Sequence, residues 1–317
     1  MRILAAEPYA APSHSLFLEG LAKHSSHDIQ IESLPARSWK WRMRTASIHF
    51  AQILENDGPW DLLFASDFLN LAETLALLSS SKRQIPTVAY FHENQLTYPL
   101  QAGEELDVHH ALTHIHTILA SECTLFNSFY HRDSFIAAAS ELLKKVPDVA
   151  VSRVIPSMRE KCSVLPLGIE LSAGAPAPPT QVPTILWPHR WEYDKDPATF
   201  LSTLIELDQQ GIEFRLRLAG QRFRTQPPEL KEIKTRFADR IEPDEFLDRD
   251  AHLQSLARII HEPRGKTPRI GSCWHFADTC PRRRPCKVVE DASICKVPAG
   301  TNRPAVPVVR GVWSACS

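Results

Sequence analysis

Short apolar runs alternate along this chain with segments of helical periodicity, and that rhythm restricts the fold more than any other feature. Candidate strands are RILAAE (2–7), DLLFAS (61–66), TVAYFH (87–92), TLFNS (124–128) and CSVLPLG (162–168). Helical patterns lie between most of them, at 70–80, 107–121 and 131–145, with another through Leu16, Leu18 and Leu21 after a Pro-broken loop at 8–13. Strand–helix alternation of this kind is the pattern of a parallel sheet with helices on both faces. The first loop holds no glycine, so the Gly-rich dinucleotide fingerprint is absent. Residues 172–183, SAGAPAPPTQVP, carry no charge and have linker composition. Beyond them the rhythm restarts: strand 184–188, helix 197–209, strand 213–219, helix 228–237. The expected architecture is α/β, with Rossmann-like domains over 1–171 and 184–260 and a cleft facing the carboxyl ends of both sheets.

Charge and cysteine narrow the function classes. A net charge of −1 over 317 residues argues against a generally polybasic nucleic-acid binder and leaves room for a local basic patch. No stretch approaches the roughly 20 apolar residues needed to span a bilayer. Glu7, Pro8 and His14 stand where a signal peptide needs an unbroken apolar segment, so a soluble cytosolic protein is expected. The chain changes character near residue 260. Residues 261–317 hold 10 Lys and Arg against 4 Asp and Glu, and five of the seven cysteines. Their spacings contain no C-x₂-C pair, which speaks against a zinc site.

Four stretches concentrate groups suited to chemistry. In TILWPHRWEYDKDP (184–197) an apolar strand breaks into charge, with Arg190 and Lys195 five residues apart and DP at 196–197 reading as an N-cap and first helical residue. Two cations beside a helix N-terminus suit a diphosphate, and a turn whose charges pair locally (Arg190–Glu192, Asp194–Lys195) accounts for them equally well. YFHENQLTYP (90–99) places His92, Glu93, Asn94 and Gln95 at a strand end, where they can orient a polyhydroxylated substrate and His92 can take or relay a proton. ARSWKWRMR (36–44) interleaves Arg37, Lys40, Arg42 and Arg44 with Trp39 and Trp41, a nucleic-acid pattern that is also compatible with a helix start whose tryptophans pack in a core. In FNSFYHRDSF (126–135), Asn127 and Ser128 end a strand as ligand contacts or as a helix cap.

Taken together, LPARSWKWRMRTASIHFAQ (34–52), FHENQL, LFNSFYHRDSF (125–135) and WPHRWEYDKDP resemble the tRNA-queuosine mannosyltransferases, in order over about residues 1–260. The resemblance implies a GT-B fold of two Rossmann-like domains. It implies transfer of mannose from GDP-mannose to the cyclopentenediol of queuosine at the anticodon of tRNA-Asp, with the anomeric configuration retained. Arg190 and Lys195 then hold the donor diphosphate and offset charge on the leaving GDP, with Gly220 and Glu262 as further donor contacts and no metal required. Ser13, His14, Asn94, Asn127, Ser128, Trp39, Trp41, Arg42 and Arg44 fall on the acceptor side, with His92 and Glu93 at the chemistry. Other acceptors for the same fold, or a truncated remnant that binds tRNA or nucleotide sugar without transfer, are the alternatives.

Two departures qualify that resemblance. The family has Gly-Gly before its Ser-His pair, whereas Ala11 and Pro12 precede Ser13 and His14 here, which puts a close backbone approach in doubt. After His261-Glu262 the family continues with HEFFG and a second Glu eight residues after the first, whereas here that position is Ile270. Residues 261–317 therefore read as an atypical or frame-shifted tail, which leaves the second domain incomplete.

Overall fold

The computed structural model describes residues 1–100, 103–168, 182–189, 191–219 and 227–242. The chain divides into two units, the first from Met1 to Gly168 and the second from Ile169 onward. Of the linker expected over 172–183, residues 172–181 lie outside the described residues, as does the atypical tail over 261–317.

Six strands build the first unit: β1 (Arg2–Ala10), β2 (Asp28–Pro35), β3 (Leu62–Ser66), β4 (Thr87–Phe91), β5 (Cys123–Phe126) and β6 (Cys162–Val164). All pair in parallel, in the order β2-β1-β3-β4-β5-β6. The helices are α1 (Pro12–His24), α2 (Trp39–Asn56), α3 (Leu71–Ala76), α4 (Val108–Ala120), α5 (Phe129–Lys144) and α6 (Ile155–Lys161). Strand order reverses between β1 and β3, and a doubly wound sheet opens its crevice at the carboxyl ends of such a pair.

The two-residue period of β1 feeds two cores. Leu4 and Ala6 pack with Ala46, Phe50, Ala51 and Leu54 of α2 and Leu71 of α3. Ile3 and Ala5 pack on the other face with Phe17 and Leu18 of α1 and with Phe64 and Tyr90. Farther along the sheet, Ala89, Phe91 and Phe126 meet Ile115 and Ile118 of α4 and Phe135 and Ala139 of α5. Full burial of one such large apolar side chain is worth roughly 1.5–3 kcal/mol.

Two departures from the expected elements have local reasons. The span 8–13, expected as a loop, instead continues β1 to Ala10 and opens α1 at Pro12. Pro8 is tolerated because the β1–β2 register shifts between Glu7 and Ala10, where no regular ladder bond is lost. Ala11 is extended (φ −67°, ψ 156°) and Pro12 stands in the first turn, so neither needs the left-handed backbone that glycine allows. The edge strand β2 buries no residue fully, and so it lacks the apolar run that marks its neighbours.

In the second unit β7 (Thr184–Trp187) pairs in parallel with β8 (Arg215–Leu218), flanked by α7 (Pro197–Gln209) and α8 (Pro228–Arg236). Leu201, Leu204, Leu216, Leu218, Leu230 and Ile233 form its core. The span of α7 is the one expected from the sequence, down to its Asp196 cap, whose side chain accepts from Thr199 N at 3.1 Å. No helix among the described residues is long and apolar enough to cross a membrane.

Phe50 is fully buried between β1 and α2. Phe50→Ala should destabilise the first unit by about 3–5 kcal/mol. Urea unfolding checks this, and a loss below about 1 kcal/mol would mean the site collapses around the cavity.

Candidate active site

Three adjacent strands of the first sheet carry an apolar column on the α1 face: Ile3 and Ala5, Leu62 and Phe64, Val88 and Tyr90. One step further in the same phase, each column turns polar at the carboxyl end. Those residues are Glu7, Ser66 and His92, all buried. The strand period therefore puts them on one face, beside the β1/β3 reversal.

Glu7 is fully buried, and its carboxylate is fully engaged. Oε1 accepts from the backbone N–H of Tyr9 at 2.8 Å and from Ser66 Oγ at 3.1 Å. Oε2 faces His14 Nδ1 at 3.1 Å. Helix α1 delivers His14 on the same stripe as Phe17 and Leu18, at spacings of three and four residues. The His14 ring lies 4.0 Å from the ring of His92, nearly parallel at 19°. Phe17 meets His92 edge-on at 5.1 Å and stacks on Tyr90 at 4.2 Å. Just past β3, buried Asp67 receives long hydrogen bonds from the N–H groups of His92 (3.5 Å) and Glu93 (3.3 Å).

Burial and neighbouring charge drive these groups apart. Burial pushes the Asp67 carboxyl from 3.8 up to about 8, against the charge of His14 and with the charges of Glu93 and Glu7. Burial alone would lower His14, but the hydrogen bond and charge of Glu7, with the charges of Asp67 and Glu93, outweigh it and raise its pKa. His92 goes the other way, well below 6.5, through burial first and then the charges of His14 and His131. The stack therefore sets an imidazole whose pKa is raised against one whose pKa is lowered. Neither ring nitrogen of His92 has a hydrogen-bond partner among the described residues, so the neutral ring can take a proton or a hydroxyl hydrogen bond.

Glu7, His14 and His92 each offer a ligand atom, all within 4.8 Å of one another. An imidazole binds a metal through an in-plane lone pair, and two stacked, near-parallel rings share no nearby in-plane point. As arranged, the two imidazoles cannot hold one ion between them. The chemistry the cluster offers is that of protons and hydrogen bonds.

Other residues expected at the site take varied places. Ser13 is exposed in the first turn of α1. Asn94 is buried, and its Oδ1 accepts from Leu96 N (3.0 Å), Thr97 N (2.8 Å) and Thr97 Oγ1 (3.2 Å), so its amide closes the turn after β4. His114, lowered to about 3 by burial and the charges of His131 and His110, accepts from Gln95 N at 3.3 Å and steadies the same turn. Asn127 Nδ2 donates to His92 O at 2.8 Å, and Asn127 Oδ1 lies 3.0 Å from His131 Nδ1. Ser128 caps α5 by accepting from His131 N at 3.1 Å.

At the start of α2 the two tryptophans part. Trp39 is half-buried against His110 (5.0 Å) and Phe68 (6.4 Å), while Trp41 is 70% exposed. Arg44 is exposed, and Arg42 Nε is buried without a hydrogen-bond partner. Phe68 lies 5.9 Å from His14, so a series of rings joins Trp39 through Phe68 and His14 to His92. In the second unit Lys195 Nζ pairs with Asp194 Oδ2 at 2.8 Å, the local pairing weighed above. Arg190, Gly220 and Glu262 lie outside the described residues.

Sequence reasoning missed Glu7, Ser66 and Asp67 as site residues. The signal was available: RILAAE and DLLFASD each end an apolar run on an in-phase or next-in-line polar group.

A doubly wound parallel sheet followed by a second α/β unit is the architecture of the GT-B class. Solved structures agree on the fold. OtsA in its apo form gives a TM-score of 0.52 at 12% identity, over 80% of this chain and 76% of that one. The E. coli trehalose-6-phosphate structure bound with UDP-2-fluoro glucose gives the same TM-score, identity and shares. The N-terminal model of tRNA-queuosine alpha-mannosyltransferase matches residues 2–169. The tRNA-queuosine alpha-mannosyltransferase of Drosophila melanogaster is 32% identical over 269 residues, covering 80% of this chain and 70% of its own length. The chain belongs to the tRNA-queuosine alpha-mannosyltransferase family.

Asp67 gives the site a pH signature in stability. Its pKa is raised from 3.8 to about 8, so between those values the folded state keeps a proton that the unfolded state has lost. Its contribution is full below about pH 4 and declines as pH rises to about 8. Asp67→Asn removes that decline. The melting temperature of wild type minus that of the variant should fall steadily between about pH 5 and pH 8, and a constant difference would show that Asp67 titrates alike in both states.

Proposed function

We propose that the protein transfers mannose from GDP-mannose to a cyclopentenediol hydroxyl of queuosine in the anticodon of tRNA-Asp, with the anomeric configuration retained. Family membership supports the reaction class. The observation that carries the reading is the polar cluster of Glu7, His14, Asp67 and His92 at the strand ends of the family-matched unit.

In this reading the acceptor hydroxyl oxygen bonds to the anomeric carbon as the bond from that carbon to the diphosphate oxygen breaks. The electron pair leaves with GDP, and the hydroxyl proton passes to the departing diphosphate oxygen. Neutral His92, with both ring nitrogens open, orients the hydroxyl by accepting its hydrogen. Asp67 and Asn127 hold the backbone on either side of that ring, through its N–H and its C=O. Lys195, beside the N-terminus of α7, exchanges Asp194 for the donor diphosphate, with Arg190 as the second cation. The exposed face of Trp41, with Arg42 and Arg44, meets the RNA, and the fold needs no metal for these roles. A cytoplasmic location follows from a tRNA acceptor.

Labelled mannose supplied as GDP-mannose should appear in queuosine-containing tRNA and not in tRNA lacking queuosine. Label on neither tRNA would overturn the reading, and label on both would remove queuosine as the acceptor. Trp41→Ala touches no core residue and should weaken tRNA binding roughly tenfold, since stacking of one base is worth about 1–3 kcal/mol. Filter binding checks it, and unchanged affinity would take α2 out of the interface.

A further inference from the structure

Three groups hold the two carboxylate oxygens of Glu7. The backbone of β1 itself, the hydroxyl at the end of β3 and the imidazole of α1 all donate to one buried carboxylate. These contacts fix the His14 ring at Nδ1 and leave Nε2 without a hydrogen-bond partner among the described residues. His14 retains 5% of its exposure and its stacking partner His92 retains 8%. The charged and titratable groups facing His14 are Glu7 on β1, Asp67 after β3, and His92 and Glu93 after β4. The hydrogen bond and charge of Glu7 raise the pKa of His14 against the effect of burial.

We propose that Glu7 and His14 form a fixed carboxylate–imidazolium pair, in which Glu7 is the positioning residue and His14 Nε2–H donates to an oxygen of the bound substrate. The geometry assigns the two imidazoles opposite duties: His14 gives a hydrogen bond, and His92, stacked on it and uncharged, receives one. An oxygen-rich ligand with a donor and an acceptor close together suits that edge. Such an oxygen is either a hydroxyl of the acceptor nucleoside or a phosphate oxygen of the sugar donor. The identity of the ligand rests on the transfer reading; the state of His14 does not.

The sign of the pH dependence follows. A histidine whose folded pKa is raised contributes stability that is complete below about pH 6.5 and is lost as pH climbs through the folded value. Donation to substrate disappears over the same range, so transfer should decline on the alkaline side.

Nitrogen-detected NMR titration of the full chain, in wild type and in Glu7→Gln, tests the pair without any need for activity. Both ring nitrogens of His14 should be protonated in wild type at neutral pH, and the midpoint should drop in the variant. A neutral His14 in wild type at pH 7 overturns the proposal even if the variant fails to fold, and so does an unchanged midpoint in a folded variant. The alkaline limb of mannose transfer should move down with the midpoint, and the variant should regain rate on acidification, which a merely structural defect does not do. Calorimetric titration then assigns the oxygen: weaker GDP-mannose binding by the variant indicates phosphate, and weaker binding of a queuosine anticodon stem-loop indicates the hydroxyl. A displaced midpoint with both affinities intact would overturn the substrate contact. If wild type transfers nothing, the transfer reading fails while the titration still decides the state of His14.

Discussion

A carboxylate cannot be left bare at the end of a buried central strand, and much of the first unit's active end follows from how Glu7 is satisfied. An unpaired ion at such depth is destabilising by several kcal/mol, and the penalty is offset only if every lone pair finds a donor. Glu7 draws those donors from β1, β3 and α1, three elements far apart in sequence, with Ser66 59 residues away. The contact thus does more than neutralise a charge. It fixes the rotation of α1 on the sheet, because His14 reaches Oε2 only when Phe17 and Leu18 face Ile3 and Ala5. It also places the His14 ring over His92, which would otherwise face the crevice alone.

Once that pair is fixed, the remaining groups sort themselves by what charge is left. Asp67 is fully buried, with two other acids nearby, and its carboxyl is raised to about 8. His92, buried beside His14, is held well below 6.5. Pairs of titratable groups pushed in opposite directions are the arrangement that lets one site donate and accept hydrogen at a single pH. Here the separation arises first from burial, which raises Asp67 and lowers His92, and then from the charges of their neighbours.

The strand–helix rhythm was legible because buried parallel strands are continuous apolar runs, and α7 could be bounded to the residue because Asp196 and Pro197 mark its start. β2 was not legible, since an edge strand that buries nothing fully leaves no such run. The polar residues at strand ends were found as a class but not sorted. His92 keeps its ring open, whereas Asn94 spends its amide on the turn that follows and Ser128 spends its hydroxyl on a helix cap. Whether a polar side chain at a strand end is open to a ligand depends on donors and acceptors within a few residues, and composition does not carry that. Glu7 stayed hidden for the opposite reason: its partners are long-range, and a lone acid after an apolar run reads as the strand meeting solvent.

The two tryptophans of α2 make the same point about surfaces. Spacing treats Trp39 and Trp41 alike, yet positions two apart on a helix lie about 200° apart around its axis and cannot share a face. Trp39 turns inward onto Phe68 and His110 and continues by ring contacts to His14 and His92, while Trp41 turns outward among Arg and Lys side chains. The inner side of the α2 start is thus joined to the imidazole pair by a series of ring contacts, while its outer side stays exposed.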